Sequence, residues 1–273
     1  MSLGSTMPNI PTFMPLTLEV CVDSTESALA AVEAGADRLE LCSNLGLGGG
    51  TTPSLGLLNV IRKVAPTIPI MIMIRPRTGD FVYTEAEFDV MIEDIRCFRE
   101  SGVQGVVFGV LTPEGDVAVA RTQRLVSEAL PLQVCFHRAF DMTRDARNAW
   151  HQLSKINGLS RILTSGQGTA ATSANSLDVL KDLLDLAKYQ DIRIEILPGS
   201  GINSSTVGAL CQALLPHGLR EVHMSGGHWT DGASIWRRDG MGMGVSGASE
   251  WGIWRTNASA IRAVKNVIDS FDN

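Results

Sequence analysis

The feature that most constrains the fold is a repeated alternation between short, apolar, β-branched runs and longer helical patterns. The runs recur at intervals of about 20 to 35 residues, and each ends in a polar or glycine-containing turn. The predicted strands are Thr17–Val22, Arg38–Cys42, Ile68–Arg75, Gly105–Leu111, Leu132–His137, Arg161–Thr164, Ile192–Leu197 and Glu221–Ser225. The predicted helices are Ser24–Ala34, Ser54–Val64, Glu85–Ser101, Val119–Ala129, Asp145–Ile156, Ser176–Tyr189, Ser204–Leu214 and Ser259–Ser270. This rhythm indicates repeated βαβ units with parallel strands.

Eight such units in a chain of 273 residues, without a linker between halves, favour closure into a single eight-fold β/α barrel of the TIM type. The alternative is an open, doubly wound sheet. We expect residues 1–15 to form an N-terminal tail, whose first residues resemble a cloning remnant, and residues 16–273 to form the barrel domain.

Charge and cysteine content limit the partners of the protein. A net charge of −6 with a pI near 5.4 argues against a nucleic-acid partner, which would require clustered Lys and Arg. The five cysteines are odd in number and scattered, so we expect reduced thiols and a cytoplasmic location. No apolar run approaches the roughly 20 residues needed to span a bilayer, and we expect no membrane partner.

One connection departs from the βα rhythm. The stretch from Gly226 to Trp254 is long and rich in Gly and Ser, and it contains four of the five tryptophans: Trp229, Trp236, Trp251 and Trp254. A long loop inside a compact domain is usually functional. We therefore expect a lid or a subunit interface, and a homo-oligomer, either a dimer or a tetramer.

Two matching strand ends stand at the predicted working face of the barrel. Glu19 and Cys21 lie two residues apart on the first strand, hence on one face, and Glu40 and Cys42 repeat this spacing on the second strand. In TIM barrels, the carboxyl ends of the strands and the loops after them carry the active site. These four residues are therefore candidate functional residues.

The two thiols allow a metal site. Cys21 and Cys42 could bind a soft ion such as Cu(I), since thiolates are the ligands that this ion selects. Free cysteine is also among the most buried residue types, so both could instead be packing residues. Cys135, Met71 and Met73 are interpreted as core.

The polar strand ends also allow an enzyme acting on a small anionic, phosphorylated or carboxylated metabolite. Its general acids and bases would be Glu19, Glu40 and His137, with Arg75 and Arg77 holding the anion. The turns after strands seven and eight would bind a phosphate through backbone N–H groups at Gly199, Gly201 and Gly226. The competing interpretations are a buried network of paired charges and glycines that merely permit tight turns.

Six ordered segments carry a family resemblance through most of the chain. They are Glu19-Val20-Cys21-Val22-Asp23-Ser24, Gly35-Ala36-Asp37-Arg38-Leu39-Glu40-Leu41-Cys42, Gly50-Thr51-Thr52-Pro53-Ser54-Leu55-Gly56, Ile74-Arg75-Pro76-Arg77-Thr78-Gly79-Asp80-Phe81, Phe136-His137-Arg138-Ala139-Phe140-Asp141 and Ile162-Leu163-Thr164-Ser165-Gly166. Together they resemble the CutC family, known as copper homeostasis proteins. Thr78 departs from the family pattern Arg-Pro-Arg-Gly-Gly-Asp, and the segment after strand eight is also diverged.

The resemblance implies a TIM-barrel fold, a cytoplasmic location, oligomer formation and a part in copper handling. It also implies Cu(I) binding by Cys21 and Cys42. The carboxylates beside these thiols, Glu19 and Glu40, keep the enzyme hypothesis open.

Overall fold

The computed structural model describes residues 15–189, 194–244 and 250–271. Eight parallel strands form one sheet: β1 (Thr17–Val22), β2 (Arg38–Leu41), β3 (Ile70–Met73), β4 (Gly105–Phe108), β5 (Gln133–Phe136), β6 (Arg161–Thr164), β7 (Glu195–Pro198) and β8 (Glu221–Met224). Their order is β7-β6-β5-β4-β3-β2-β1-β8, and a parallel bridge between Gly199 and His223 joins the two ends. The predicted TIM barrel is therefore confirmed, although most strands are shorter than predicted.

Helices follow the strands and lie on the outside of the barrel, except the short second one, whose Leu45 packs against the barrel interior. They are α1 (Thr25–Glu33), α2 (Leu45–Gly48), α3 (Leu55–Val64), α4 (Glu85–Glu100), α5 (Val119–Ala129), α6 (Ala146–Leu153), α7 (Ala174–Tyr189), α8 (Val207–Leu214) and α9 (Ala258–Asp269). Ser24, Ser54 and Thr84 begin their helices by accepting a hydrogen bond from a backbone N–H in the first turn. The predicted start of α8 at Ser204 is wrong. The Asn203 side chain instead accepts from Ser205 N–H, which forms a turn ahead of the helix.

Residues 190–193 and 1–14 lie outside the described residues. The predicted start of strand seven at Ile192 therefore falls outside the structure's description, as does the predicted tail except for Pro15. None of the helices in the described ranges is long and apolar enough to cross a membrane.

Side chains alternate between the two faces of each strand. On β1, Leu18, Val20 and Val22 point outward and pack in the large apolar layer between sheet and helices. Cys21 instead packs in a separate cluster inside the barrel, together with Cys42, Met71, Met73, Val107, Cys135, Leu163 and Leu197. This interior cluster confirms the prediction that Cys135, Met71 and Met73 are core residues. It also gives the barrel an interior rich in sulfur.

The segment after β8 is more ordered than its composition predicts. It contains an antiparallel hairpin, β9 (Gly227–Asp231) and β10 (Gly252–Thr256), in which Trp229 is opposite Trp254. The two indole rings meet edge to face, with centroids 5.4 Å apart. The hairpin is fixed to the barrel because Thr256 N–H donates to Ser27 Oγ of α1. Eight of the ten hairpin residues belong to the long stretch Gly226–Trp254 predicted after strand eight.

Candidate functional site

A cavity of about 340 Å³ opens at the carboxyl ends of the strands. Its lining comes from most sides of the barrel: Cys21, Glu40, Leu45, Gly49, Met73, Arg75, Phe81, His137, Arg138, Leu163, Ser200, Gly201, Ile202, His223, Met224, Ser225 and Trp254. Trp254 belongs to the hairpin, so the segment after β8 forms part of the cavity wall.

Three lining side chains form a candidate metal group. One ligand atom each from Cys21, Glu40 and His223 lies within 4.8 Å of the others, and all three residues are buried. The strand order explains the grouping because β8, β1 and β2 are neighbours. Cys21 is opposite Glu40 in the β1–β2 register, and His223 enters from β8.

The imidazole of His223 is oriented by Glu19. Its Nδ1 lies 2.8 Å from Glu19 Oε1, and its Nε2 lies 3.9 Å from Glu40 Oε2. Metal-binding histidines commonly use one ring nitrogen for a carboxylate and the other for the metal. Glu19 therefore occupies the position of a supporting carboxylate at Nδ1. The Nε2 atom of His223 lies toward Cys21 and Glu40.

The charges of this group are set by burial and by their neighbours. Burial alone would raise the pKa of Glu19, but the Arg38 guanidinium and the hydrogen bond with His223 outweigh it and lower that pKa to about 2. Burial raises the pKa of Glu40 to about 7. Burial alone would lower the pKa of His223, but Cys21, Glu40 and the hydrogen bond with Glu19 raise it well above its ordinary value. Burial also raises the pKa of Cys21.

Cys42 lies beside this group. Its Sγ is 3.6 Å from Glu40 Oε2, and burial followed by the Glu40 charge raises its pKa well above the ordinary thiol value. Both predicted thiols therefore lie in the barrel interior, but the compact three-residue group contains His223 in place of Cys42. His223 was not among the site residues predicted from the sequence. Its position two residues after Glu221 on β8 is the signal that would have placed it on the inner face.

An ionic network lies beneath the candidate metal group, toward the amino ends of the strands. Arg38 Nε donates to Glu19 Oε2 at 2.5 Å, and its two terminal nitrogens donate to Glu221 at 3.1 and 2.8 Å. Arg161 makes a second bidentate contact with Glu221 at 2.6 and 3.0 Å. Glu19 is thus part of a buried charge network, which was the competing interpretation of the acidic strand ends.

Arg75, Phe81 and His137 form the opposite side of the cavity. The Arg75 guanidinium lies over the Phe81 ring at 5.1 Å, and the Phe81 and His137 rings are 4.9 Å apart. Burial, followed by the charge of Arg75, lowers the pKa of His137 to about 3. His137 is therefore neutral at physiological pH.

The other predicted anion-binding residues are dispersed. Arg77 lies outside the cavity lining, at the surface, where it forms ion pairs with Glu87 and Asp80. Gly201 borders the cavity, whereas Gly199 and Gly226 do not. A Cβ at Gly199 would come within 2.7 Å of Leu163, and one at Gly226 within 2.6 Å of Ile261. A positive φ of +56° at Gly226, and the contact with Leu163 and with His223 Cβ at 3.3 Å at Gly199, account for the absence of a side chain at these two positions.

The fold and the site together define a class: a (β/α)8 barrel with a buried thiol, carboxyl and imidazole group at the carboxyl ends of adjacent strands. The model of the CutC family matches residues 16–228. The chain belongs to the CutC family.

Similar proteins support this assignment over nearly the whole chain. The CutC family protein of Chromobacterium violaceum is 41% identical over 256 residues, which cover 94% of this chain and 99% of that protein. The CutC family protein of Klebsiella pneumoniae strain 342 is 40% identical over 93% of this chain and 98% of that protein.

Two solved structures extend the comparison. One, described as a candidate copper homeostasis protein CutC from Streptococcus agalactiae, is 30% identical, with a TM-score of 0.69 over 77% of this chain and 98% of that chain. The other, a rubisco-like protein of Burkholderia fungorum, is 15% identical, with a TM-score of 0.51 over 77% of this chain and 55% of that chain. The second structure shares the fold alone.

Proposed function

We propose that this protein takes part in copper homeostasis by binding Cu(I) inside the barrel, with Cys21 and His223 as ligands and Cys42 as a second thiol. The observation that carries the proposal is the buried Cys21–Glu40–His223 group, in which Glu19 orients His223. The Streptococcus agalactiae relative, described as a candidate copper homeostasis protein, supports the same role.

Among the candidate ligand atoms, the sulfur and nitrogen atoms suit Cu(I) better than the carboxylate oxygens do. Thiolate and imidazole are ligands that suit copper, whereas a carboxylate is a harder ligand that suits other cations. The Sγ of Cys21 and the Nε2 of His223 are therefore the proposed first ligands. Glu40 lies between the two thiols and would take up or release a proton as charge changes around it.

The barrel would also protect the bound ion from reaction. Cys21 and Cys42 pack among apolar and thioether side chains in the interior cluster, with Met73 bordering the same cavity. Such surroundings bury Cys42 fully and leave Cys21 reachable only through the cavity. The proposal is therefore one of sequestered copper, for buffering or delivery in the cytoplasm, rather than of a loosely bound surface ion.

The test is the affinity for Cu(I), measured anaerobically by competition with a chromogenic chelator under reducing conditions. We expect the Cys21→Ser and His223→Asn variants to bind at least about 10-fold more weakly, since each removes a ligand, and Cys42→Ser to weaken binding as well. Cys135→Ser is the matched control because Cys135 is equally buried in the interior cluster but lies outside the ligand group. Unchanged affinity in Cys21→Ser, or an equal loss in Cys135→Ser, would refute the proposal.

We further propose that the protein forms a homo-oligomer, a dimer or tetramer, through the segment between β9 and β10. This segment exposes Ile235 and Met243 almost fully and Trp236 to 78%. Several large exposed apolar side chains within one segment are typical of protein contacts. Light scattering of the full chain and of a variant lacking residues 232–249 tests this proposal, and an unchanged molecular mass per particle, after correction for the deletion, would contradict it.

A further inference from the structure

Arg75 is a buried cation without a carboxylate partner. Its neighbours in the fold, Arg77 and Arg138, form ion pairs with Asp80 and Asp141 respectively. Arg75 is only 7% exposed; the hydrogen bonds of its terminal nitrogens go to backbone carbonyls, and the Tyr83 hydroxyl is a further polar neighbour. An uncompensated charge in such a position is costly unless another charged group neutralises it.

The backbone contacts of Arg75 fix its side chain and leave one donor free. Its two terminal nitrogens donate to the carbonyls of Gly48, Gly50 and Gly79. Its Nε–H has no partner among the described residues. The guanidinium is therefore held at the cavity wall by its terminal nitrogens, with a positive charge that no carboxylate among the described residues neutralises.

His137 supplies a second unused donor on the same wall. Its Nδ1 accepts a hydrogen bond from Ala139 N–H, so the proton of the neutral ring is on Nε2. Nε2 has no partner in the described ranges, although His137 is 4% exposed. The Phe81 ring contacts both Arg75 and His137 and holds them on one side of the cavity.

Glu40 supplies an unused oxygen across the cavity. Its Oε2 faces Cys42 and His223, whereas its Oε1 has no hydrogen-bond partner among the described residues. The cavity wall is thus chemically asymmetric. A positive charge with two N–H donors forms one side, and a carboxyl oxygen forms the other.

We propose that this cavity binds a small hydroxycarboxylate, an organic anion that carries a carboxylate and a hydroxyl group. The carboxylate would accept hydrogen bonds from Arg75 and His137, and the hydroxyl group would bind Glu40. The cavity volume of about 340 Å³ suits a molecule of a few carbon atoms. This inference does not depend on copper binding.

The same features argue against a phosphate ester. A phosphate dianion accepts more hydrogen bonds than the two unpartnered N–H groups of Arg75 and His137 can supply. Arg138 offers little compensation because Asp141 already holds it at 2.7 Å.

The test is isothermal titration calorimetry of the full-length, metal-free protein with a chelator present. The probes are lactate, glycerate and malate, with propionate and succinate as analogues that lack the hydroxyl group, and inorganic phosphate. We expect at least one hydroxycarboxylate to bind with a Kd below about 1 mM, and at least about 10-fold more tightly than its deoxy analogue and than phosphate. Absence of binding by all three hydroxycarboxylates, or equal binding by phosphate or by the deoxy analogues, would overturn the proposal.

Variants locate the binding site. We expect Arg75→Gln and His137→Asn to weaken binding at least about 10-fold, whereas Arg77→Gln, which removes a surface guanidinium two residues away, leaves it unchanged. His137→Asn retains an acceptor for Ala139 N–H, so it remains informative where Arg75→Gln fails to fold, as judged by circular dichroism. Binding that survives His137→Asn would refute the proposed site.

A further variant separates this inference from the proposed copper role. Cys42→Ser is expected to weaken Cu(I) binding and to leave hydroxycarboxylate binding unchanged, because Cys42 is absent from the cavity lining. Loss of carboxylate binding in Cys42→Ser would count against a cavity site centred on Arg75 and His137. Failure of copper binding alone would leave the calorimetric result intact.

Discussion

Nδ1 of His223 lies 2.8 Å from Oε1 of Glu19, and Oε2 of the same carboxylate accepts a hydrogen bond from Arg38. This carboxylate therefore connects the proposed copper ligand to the ionic network of the barrel. Because the network fixes Glu19, it also fixes the direction of the imidazole.

Glu19→Gln should weaken Cu(I) binding although Glu19 is not a proposed ligand. Loss of a supporting carboxylate typically costs 10- to 100-fold in metal affinity, and we expect about that reduction in the chelator competition assay. Glu93→Gln is the control, since Glu93 is exposed on α4 and pairs with Arg96 of the same helix. An affinity equal to that of the unmodified protein would show that Glu19 does not orient the ligand.

The ion pairs of Glu221 with Arg38 and Arg161 should contribute strongly to the free energy of unfolding. Glu221→Gln leaves Arg161 without its carboxylate partner and Arg38 with Glu19 alone, so we expect the free energy of unfolding to fall by about 3 kcal/mol. Equilibrium unfolding in urea measures this change. Glu93→Gln removes an exposed pair with Arg96 and should cost less than about 1 kcal/mol. Similar losses in the two variants would contradict the assigned role of the buried network.

The stability of the protein should depend on the neutral state of His137. Its pKa is about 3 in the folded chain but has its ordinary value of 6.5 when unfolded, so the unfolded chain binds more protons between these values. The free energy of unfolding therefore falls as pH decreases below 6.5. His137→Asn removes this contribution, and between pH 7 and pH 4.5 the variant should lose about 2–3 kcal/mol less than the unmodified protein.

Urea unfolding at both pH values tests this prediction, and the comparison with the variant is essential. Glu40 acts in the opposite direction because its pKa is raised to about 7, and a folded chain that binds an extra proton gains stability as the pH falls below that value. The difference between the two proteins isolates His137. Parallel pH profiles would show that folding does not lower the pKa of His137.

The alternation of outward apolar residues with inward Glu and Cys residues along the strands made the barrel and its interior predictable. Leu18 and Val20 alternate with Glu19 and Cys21, and this pattern placed both Glu-x-Cys pairs on the inner face, where the structure has them. His223 could not be predicted as a site residue because β8 carries no Glu-x-Cys pair. Its role depends on the pairing of β8 with β1 when the barrel closes. The free donor of Arg75 could not be predicted, because it follows from which carbonyls occupy its other nitrogens.

The β9–β10 hairpin could not be predicted from its composition, since Gly, Ser and Trp are also typical of irregular loops. Its position depends on contacts distant in sequence: Trp229 packs over Gly46 of α2, where a Cβ would lie 2.8 Å from the indole ring. Sequence patterns with a period of two or 3.6 residues carry no information on such contacts.

The hairpin packs closely at the cavity. A Cβ at Gly227 would lie 2.3 Å from the Trp254 ring, which Trp229 and the cavity wall hold in place. Gly227→Ala should therefore displace Trp254, change tryptophan fluorescence and cost about 1–3 kcal/mol of stability in urea unfolding. Gly56→Ala is the control of opposite sign. In helix α3 a Cβ at this position would lie 3.7 Å from Ser54 Oγ, an ordinary contact distance, and the alanine should stabilise by up to about 1 kcal/mol without a change in fluorescence. Equal stability of the two variants would show that the hairpin moves aside freely.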